Sequence, residues 1–157
     1  FGKEDILVNN IAWLIRTFPV FPIFGDDGYT LQPVYVGDVA AIAVSCARGQ
    51  QGVILDAIGP ETFTFEEFVR LVSAQIKPGV KLVHVPPTIG IGLGRVIGFA
   101  VRDVILPSDE LRGLMEGMLT SGQAPNGATR FSEWLALHKD EIGLTYSSEL
   151  RRHFRGG

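Results

Sequence analysis

The sequence has a single cysteine, Cys46, in 157 residues. That excludes an internal disulfide framework and a cysteine-rich zinc site, and it favours a reducing, cytoplasmic setting. An excess of one charge is also missing. Lys and Arg number 14 against 17 Asp and Glu, a formal net charge of −3, so nothing draws the chain to nucleic acid. A long apolar run is absent too. The most apolar stretch, Val85 to Leu106, opens on Pro86-Pro87 and is broken by Arg95, Arg102 and Asp103. This argues against a transmembrane helix, which needs ~20 mostly apolar residues. There is no initiating Met, signal-peptide pattern or targeting segment. The chain starts Phe1-Gly2-Lys3 and reads as a piece that begins inside something larger. What is present is ordinary: 46% hydrophobic residues and 19 Gly. That is enough for a core and excludes disorder. No internal repeat or linker divides it, so residues 1–157 are expected to form one domain.

Apolar residues Ile6, Leu7, Ile11, Leu14, Ile15 and Phe18 follow the helical period and predict a helix from Asp5 to Thr17, ended by Pro19. Val20 to Phe24 reads as an extended run that Pro22 demotes to an edge. Tyr29 to Val36 is a second such run, with Pro33 inside it. Asp38 suits a helix N-cap. Val39 to Ala47 is apolar or small almost all round, which predicts a buried helix. Val53 to Ile58 has the β-branched composition of a strand covered on both faces. Thr64 and Glu67 form a capping box, with Phe63 and Phe68 at its staple positions, and the helix they open runs to Lys77-Pro78-Gly79. Lys81 to Val85 predicts a strand. Further helices are expected around Gly90, Gly94 and Gly98, from Ser108 to Leu119, from Phe131 to Lys139 and from Ile142 to Phe154. Ser121 to Thr129 is a loop carrying Ala124-Pro125-Asn126-Gly127. The expected class is α/β and helix-rich, with a few short strands and about six helices, resembling the rim of a larger α/β fold.

Most chemical candidates have a plainer explanation. Gly90-Ile91-Gly92-Leu93-Gly94 lacks the third glycine and the preceding strand of a dinucleotide loop, so helix packing is the better reading. His84, His138 and His153 have no metal-motif spacing. His84 reads as a structural strand histidine, and His153 as part of a basic helix end with Arg151, Arg152 and Arg155. Cys46 lies in an apolar helix and reads as a small hydrophobe. No metal site and no catalytic residue is assigned. Four polar residues fit the apolar pattern poorly: Asn9, Asn10, Gln32 and Tyr35. Amides and phenols at such places can orient a bound small molecule.

Three stretches resemble one family. Phe1-Gly2-Lys3-Glu4-Asp5 followed by Asn9-Asn10 resembles the turn after the sixth strand of extended short-chain dehydrogenases/reductases. Leu31-Gln32-Pro33-Val34-Tyr35-Val36-Gly37-Asp38-Val39-Ala40 resembles a second segment of that family, which carries Asp where Gly37 stands. Gly127 to Leu135, with Tyr146 to Phe154, resembles the C-terminus of an atypical branch. That branch includes the accessory NAD(P)H-binding subunit of mitochondrial complex I and bacterial relatives described as epimerases. The family's Gly-rich cofactor loop and its Tyr-x-x-x-Lys pair are both missing from this chain.

The resemblance implies the C-terminal, substrate-side portion of a Rossmann-type NAD(P)-binding fold without its N-terminal dinucleotide-binding half. It implies NAD(P) as cofactor of the whole protein and none for this chain alone. The turn at Phe1 and Gly2 would approach the nicotinamide end of the cofactor, and Asn9, Asn10, Gln32 and Tyr35 would contact a small-molecule substrate. The expected function is a substrate domain of a dehydrogenase or epimerase, inactive by itself. The alternative is an interaction module that docks on a protein or a membrane surface. A half-domain also leaves apolar surface uncovered. That surface is expected at Val39 to Ala47 and Val53 to Ile58, and self-association through it is expected.

Overall fold

The computed structural model describes residues 1–24, 29–49, 52–85 and 119–147. They form a mixed α/β arrangement of four helices and two small sheets. Helix α1 spans Ile6–Thr17 and is capped by Asp5, whose carboxylate accepts the Val8 N–H at 2.7 Å. Its i, i+3, i+4, i+7 positions Val8, Ile11, Ala12 and Ile15 are buried, as an amphipathic stripe requires. After Pro19 the chain enters β1, Val20–Phe24, and later β2, Thr30–Leu31. Helix α2 spans Val36–Arg48. Strand β3, Phe63–Thr64, runs into α3, Phe65–Ile76, then come β4, Lys81–Val85, and α4, Phe131–His138.

Strands β1 and β4 pair in parallel, with Val20 opposite Lys81 and Phe24 opposite Val85, while β2 and β3 pair antiparallel. Pro22 lies opposite Val83 inside the β1–β4 pair. A two-stranded sheet leaves one edge of each strand unpaired, so a residue without an N–H is tolerated there.

Helix α3 begins as its sequence requires. Thr64 Oγ1 accepts the Glu67 N–H at 3.1 Å, and Glu67 Oε2 accepts the Thr64 N–H at 2.8 Å. Phe63 and Phe68 close the staple with ring centroids 6.0 Å apart. Helix α3 packs on α1 and α4. The core joins their buried faces to Phe21, Ile23, Tyr29, Leu31 and Ile142. At its centre Phe68 and Phe131 stack at 4.4 Å. Burying each such side chain stabilises the fold by roughly 1.5–3 kcal/mol.

Several expectations need correction. The described residues hold four helices, against about six expected for the whole chain. The second extended run is only Thr30–Leu31, because α2 already starts at Val36. Asp38 is not its N-cap. Tyr35 holds that position without a side-chain cap, and the Val36 N–H is satisfied by the Phe1 carbonyl at 2.9 Å. Helix α2 is not buried: none of its residues is. Val53 to Ile58 is not a strand, since no strand among the described residues lies alongside it. Residues 142–147 do not continue a helix. Gly143 turns the chain with φ +65° there. The Gly90/Gly94/Gly98 helix, the stretch 108–118, and His153 with its basic neighbours lie outside the described residues.

Candidate functional site

Three of the six expected site residues come together. The Phe1 amino group donates to the Val34 carbonyl at 2.6 Å, and the Phe1 carbonyl accepts the Val36 N–H. The first residue is thereby stitched to the segment entering α2. Its ring lies 5.5 Å from that of Tyr35, 5.1 Å from Phe131 and 5.4 Å from Trp134. Gly2 lets the turn lie against α2, because a Cβ there would sit 2.9 Å from Val36 Cγ1. Phe1, Gly2 and Tyr35 thus form one aromatic-walled corner. Among the described residues the Tyr35 hydroxyl has no hydrogen-bond partner.

Gln32 lies on the same segment but works as a cross-link. Its Nε2 donates to the Gly59 carbonyl and its Oε1 accepts the Ser121 N–H, each at 3.3 Å. Gly59 itself presses on the segment so closely that a Cβ would fall 1.7 Å from the Pro33 oxygen.

Asn9 and Asn10 are elsewhere. They are buried on α1 and face the turn around Gly143. Asn9 Nδ2 donates to the Lys3 and Asp5 carbonyls at 2.9 and 2.7 Å, and its Oδ1 accepts the Gly143 N–H at 2.9 Å. Asn10 pairs reciprocally with the Ser147 backbone, at 3.1 and 2.9 Å. Both amides satisfy buried backbone groups that would otherwise cost roughly 1–3 kcal/mol each.

The polar residues that shape the corner are not among the six expected site residues. Asp38 Oδ2 accepts the Ala128 and Thr129 N–H groups at 2.8 and 2.7 Å, and Oδ1 accepts the Thr129 hydroxyl. Glu61 accepts the Ser132 N–H at 3.0 Å, the Ser132 hydroxyl at 2.7 Å and the Arg130 guanidinium at 2.7 Å. Both carboxylates therefore fix the entry to α4. They hold Phe131 and Trp134 where Phe1 meets them. Charge-assisted bonds of this kind are stronger than neutral ones. A third tie is Asn126, which accepts the Ile58 N–H at 2.8 Å and donates to the Asp56 carbonyl at 2.7 Å. The one local signal for any of these is the Asn126-Gly127 turn.

The histidines and the cysteine have ordinary surroundings. His84 Nε2 lies 3.1 Å from Glu66 Oε2. His138 stacks on Trp134 at 4.6 Å. Cys46 is free and half-buried on α2. At the surface Lys3 and Glu141 pair at 2.5 Å. Their hydrogen bond, more than their opposite charges, holds the Lys3 pKa up and the Glu141 pKa down. Among the described residues no three His, Cys, Asp or Glu side chains gather as metal ligands. No described helix is long and apolar enough to cross a membrane.

Apolar side chains are exposed on α2, which follows the corner directly, and on residues 53–55. Along α2 the half-buried positions Asp38, Ile42 and Cys46 face inward at four-residue spacing. Val36, Val39 and Val44 stand outside, as do Val53, Ile54 and Leu55, with Ile54 fully exposed.

No family model matches the sequence. The chain does resemble, at a distance, NADH dehydrogenase (ubiquinone) 1 alpha subcomplex subunit 9, mitochondrial, of Arabidopsis thaliana. The two are 26% identical over 139 residues, which is 84% of this chain and 35% of that protein. That relative is mitochondrial by name, a different compartment from the cytoplasmic one expected from the single cysteine. The chain spans about a third of the length of the curated relative it matches.

Proposed function

We propose that this chain is the substrate-side portion of an NAD(P)-dependent short-chain dehydrogenase- or epimerase-like protein and has no catalytic activity alone. The observation that carries the reading is the uncovered apolar face of α2, which follows the Phe1–Tyr35 corner, and of residues 53–55. Exposed apolar side chains grouped in this way mark a surface that a partner or another part of the protein covers. In this reading the dinucleotide-binding half of the protein covers it. The distant likeness to a dehydrogenase subunit supports the same assignment.

Roles within the corner follow. The Phe1–Gly2 turn would close on the nicotinamide end of the cofactor held by the other half. The Tyr35 hydroxyl is the group left to face a small substrate. Gln32, Asn9 and Asn10 hold the surrounding backbone in place. NAD(P) would supply hydride chemistry in the whole protein. Asp38 and Glu61 keep the aromatic wall rigid.

Thermal-shift titration with NADH and NADPH tests this. The chain alone should show no stabilisation. A version extended through the coding sequence upstream of Phe1 should gain stability on the order of 2.7 kcal/mol at a hundredfold excess over Kd. A clear rise with the chain alone overturns the proposal, as does an extended protein that ignores both nucleotides.

A second reading is an interaction module. The same apolar face favours it, together with the relative's name as a subcomplex subunit. Flotation of the chain with anionic vesicles would support the membrane-surface form of that reading, and no flotation would remove it.

A further inference from the structure

We propose that Asn126-Gly127 is a self-modification site, a deamidating latch that is protected only while it is closed on residues 56–58. This stands on the chain's own hydrogen bonds and is independent of the reading above. The chemistry needs the Gly127 nitrogen and the Asn126 side-chain carbonyl carbon. The nitrogen attacks that carbon, the new C–N bond closes a five-membered imide, and the bond to the side-chain nitrogen breaks. Ammonia leaves, carrying the proton that Gly127 gives up. Water then opens the imide at either carbonyl, yielding aspartate or isoaspartate. No oxidant or reductant takes part. Glycine after the asparagine leaves the attacking nitrogen unhindered, and Asn126 is exposed, so water reaches it.

In the closed latch each reacting group is engaged. The Gly127 N–H donates to the Ile58 carbonyl at 2.8 Å, and the Asn126 N–H donates to the same oxygen at 3.1 Å. The Asn126 amide is clamped between the Ile58 N–H and the Asp56 carbonyl. Its orientation is set by those partners, since one must receive an acceptor and the other a donor. Attack requires the amide to swing over Gly127 and the Gly127 N–H to leave its acceptor. Three hydrogen bonds must therefore open: the two of the Asn126 side chain and that of the Gly127 N–H. Even at the low end of what such bonds contribute, this suppresses the reactive form by roughly tenfold or more.

The product cannot close again. An aspartate has no donor for the Asp56 carbonyl, so two acceptors face each other. Isoaspartate adds a methylene to the main chain and moves the Gly127 N–H off Ile58. The modification thereby turns a transient opening of the Asn126 clamp on residues 56–58 into a permanent one, beside the buried side chain of Ile58.

The test uses the unaltered chain. It is aged in mildly alkaline buffer, folded or unfolded in urea, and residues 120–130 are mapped by mass spectrometry with separation of the isoaspartyl form. Conversion in urea should be at least roughly tenfold faster than in the folded chain. Equal rates, or no conversion in urea, would overturn the proposal. Hydrogen exchange on the aged folded fraction gives the second readout. The Ile58 and Gly127 amides should lose protection in modified molecules and keep it in unmodified ones. Retained protection after conversion would overturn the latch.

Discussion

Helices α1 and α2 are nearly equal in length, 12 and 13 residues, and both are rich in apolar side chains. Yet α1 buries Val8, Asn9, Asn10, Ile11, Ala12 and Ile15, and α2 buries nothing. The difference lies in what each helix meets. The stripe on α1 fits against α3, and its two asparagines bond to the backbone on either side. The strip that α2 turns inward is narrow: Asp38, Ile42 and Cys46. Its valines are left outside. An all-round apolar helix specifies that something should cover it, and it does not specify what. The region around α1 is therefore a finished core, and the region around α2 is a surface with core composition.

Glycines give the sharpest way to break that contrast. Gly143 sits at φ +65°, and a Cβ there would lie 2.4 Å from the Ala12 Cβ and 2.6 Å from the Trp13 nitrogen. A residue with a side chain is strained at that φ by ~1–2 kcal/mol, and overpacking adds ~1–3. Gly143→Ala should therefore lower stability by roughly 2–5 kcal/mol, much of the total a small domain has. Gly52 stands in the uncovered region, and a Cβ on it would meet nothing within 4 Å. Gly52→Ala should stay within about ±0.5 kcal/mol or stabilise slightly. Urea unfolding of both variants decides it. Equal effects would mean that the two regions are equally packed.

How much of this is legible in the sequence depends on distance along the chain. The α3 start is readable because Thr64, Glu67, Phe63 and Phe68 act within five residues of each other. Helix α1 is readable from its period. The ties that build the corner are not. Asp38 reaches Thr129 across 91 residues, Glu61 reaches Ser132 across 71, and Asn9 reaches Gly143 across 134. No local pattern marks such partners. Asp38 resembles a cap because cap and first-turn acids share a composition. Asn9 and Asn10 resemble ligand-binding groups because a buried amide is conspicuous whether it serves a ligand or the backbone. The Val53 to Ile58 run is legible as an apolar stretch and yet forms no strand, since a strand also needs a neighbour.

A smaller effect sharpens the comparison from the rim of the α1 region. Lys3 and Glu141 are both more than half exposed, so their pair contributes little and is screened by salt. Its pH dependence has a definite sign. The Glu141 pKa is lowered below 4.5, so its contribution is present above the unfolded carboxylate value and disappears as pH falls through the lowered one. The Lys3 pKa is raised above 10.5, so its contribution is complete below that value and is lost only as pH climbs past the raised one. The gap in urea midpoint between Glu141→Gln and the parent should be constant through neutral pH and close in acid below the carboxylate range. A gap that persists or widens in acid would assign Glu141 a different partner.

The smallest effect on stability should come from the surface that looks most like a core. Val44 is 51% exposed and Ile54 is 102% exposed. Replacing both by Ser removes apolar atoms that are already in water in the folded chain, so no burial is lost and no cavity forms. The unfolding midpoint of Val44→Ser/Ile54→Ser should move by no more than about 0.5 kcal/mol, as surface changes do. What should change is association. The parent chain should sediment as concentration-dependent oligomers through this face, and the double variant should stay monomeric at the same concentrations. A parent that is monomeric throughout would show that the face is not adhesive. A variant destabilised like a core mutant would show that α2 is covered by its own chain after all. The proposed half-domain seam would then lose the observation on which it rests.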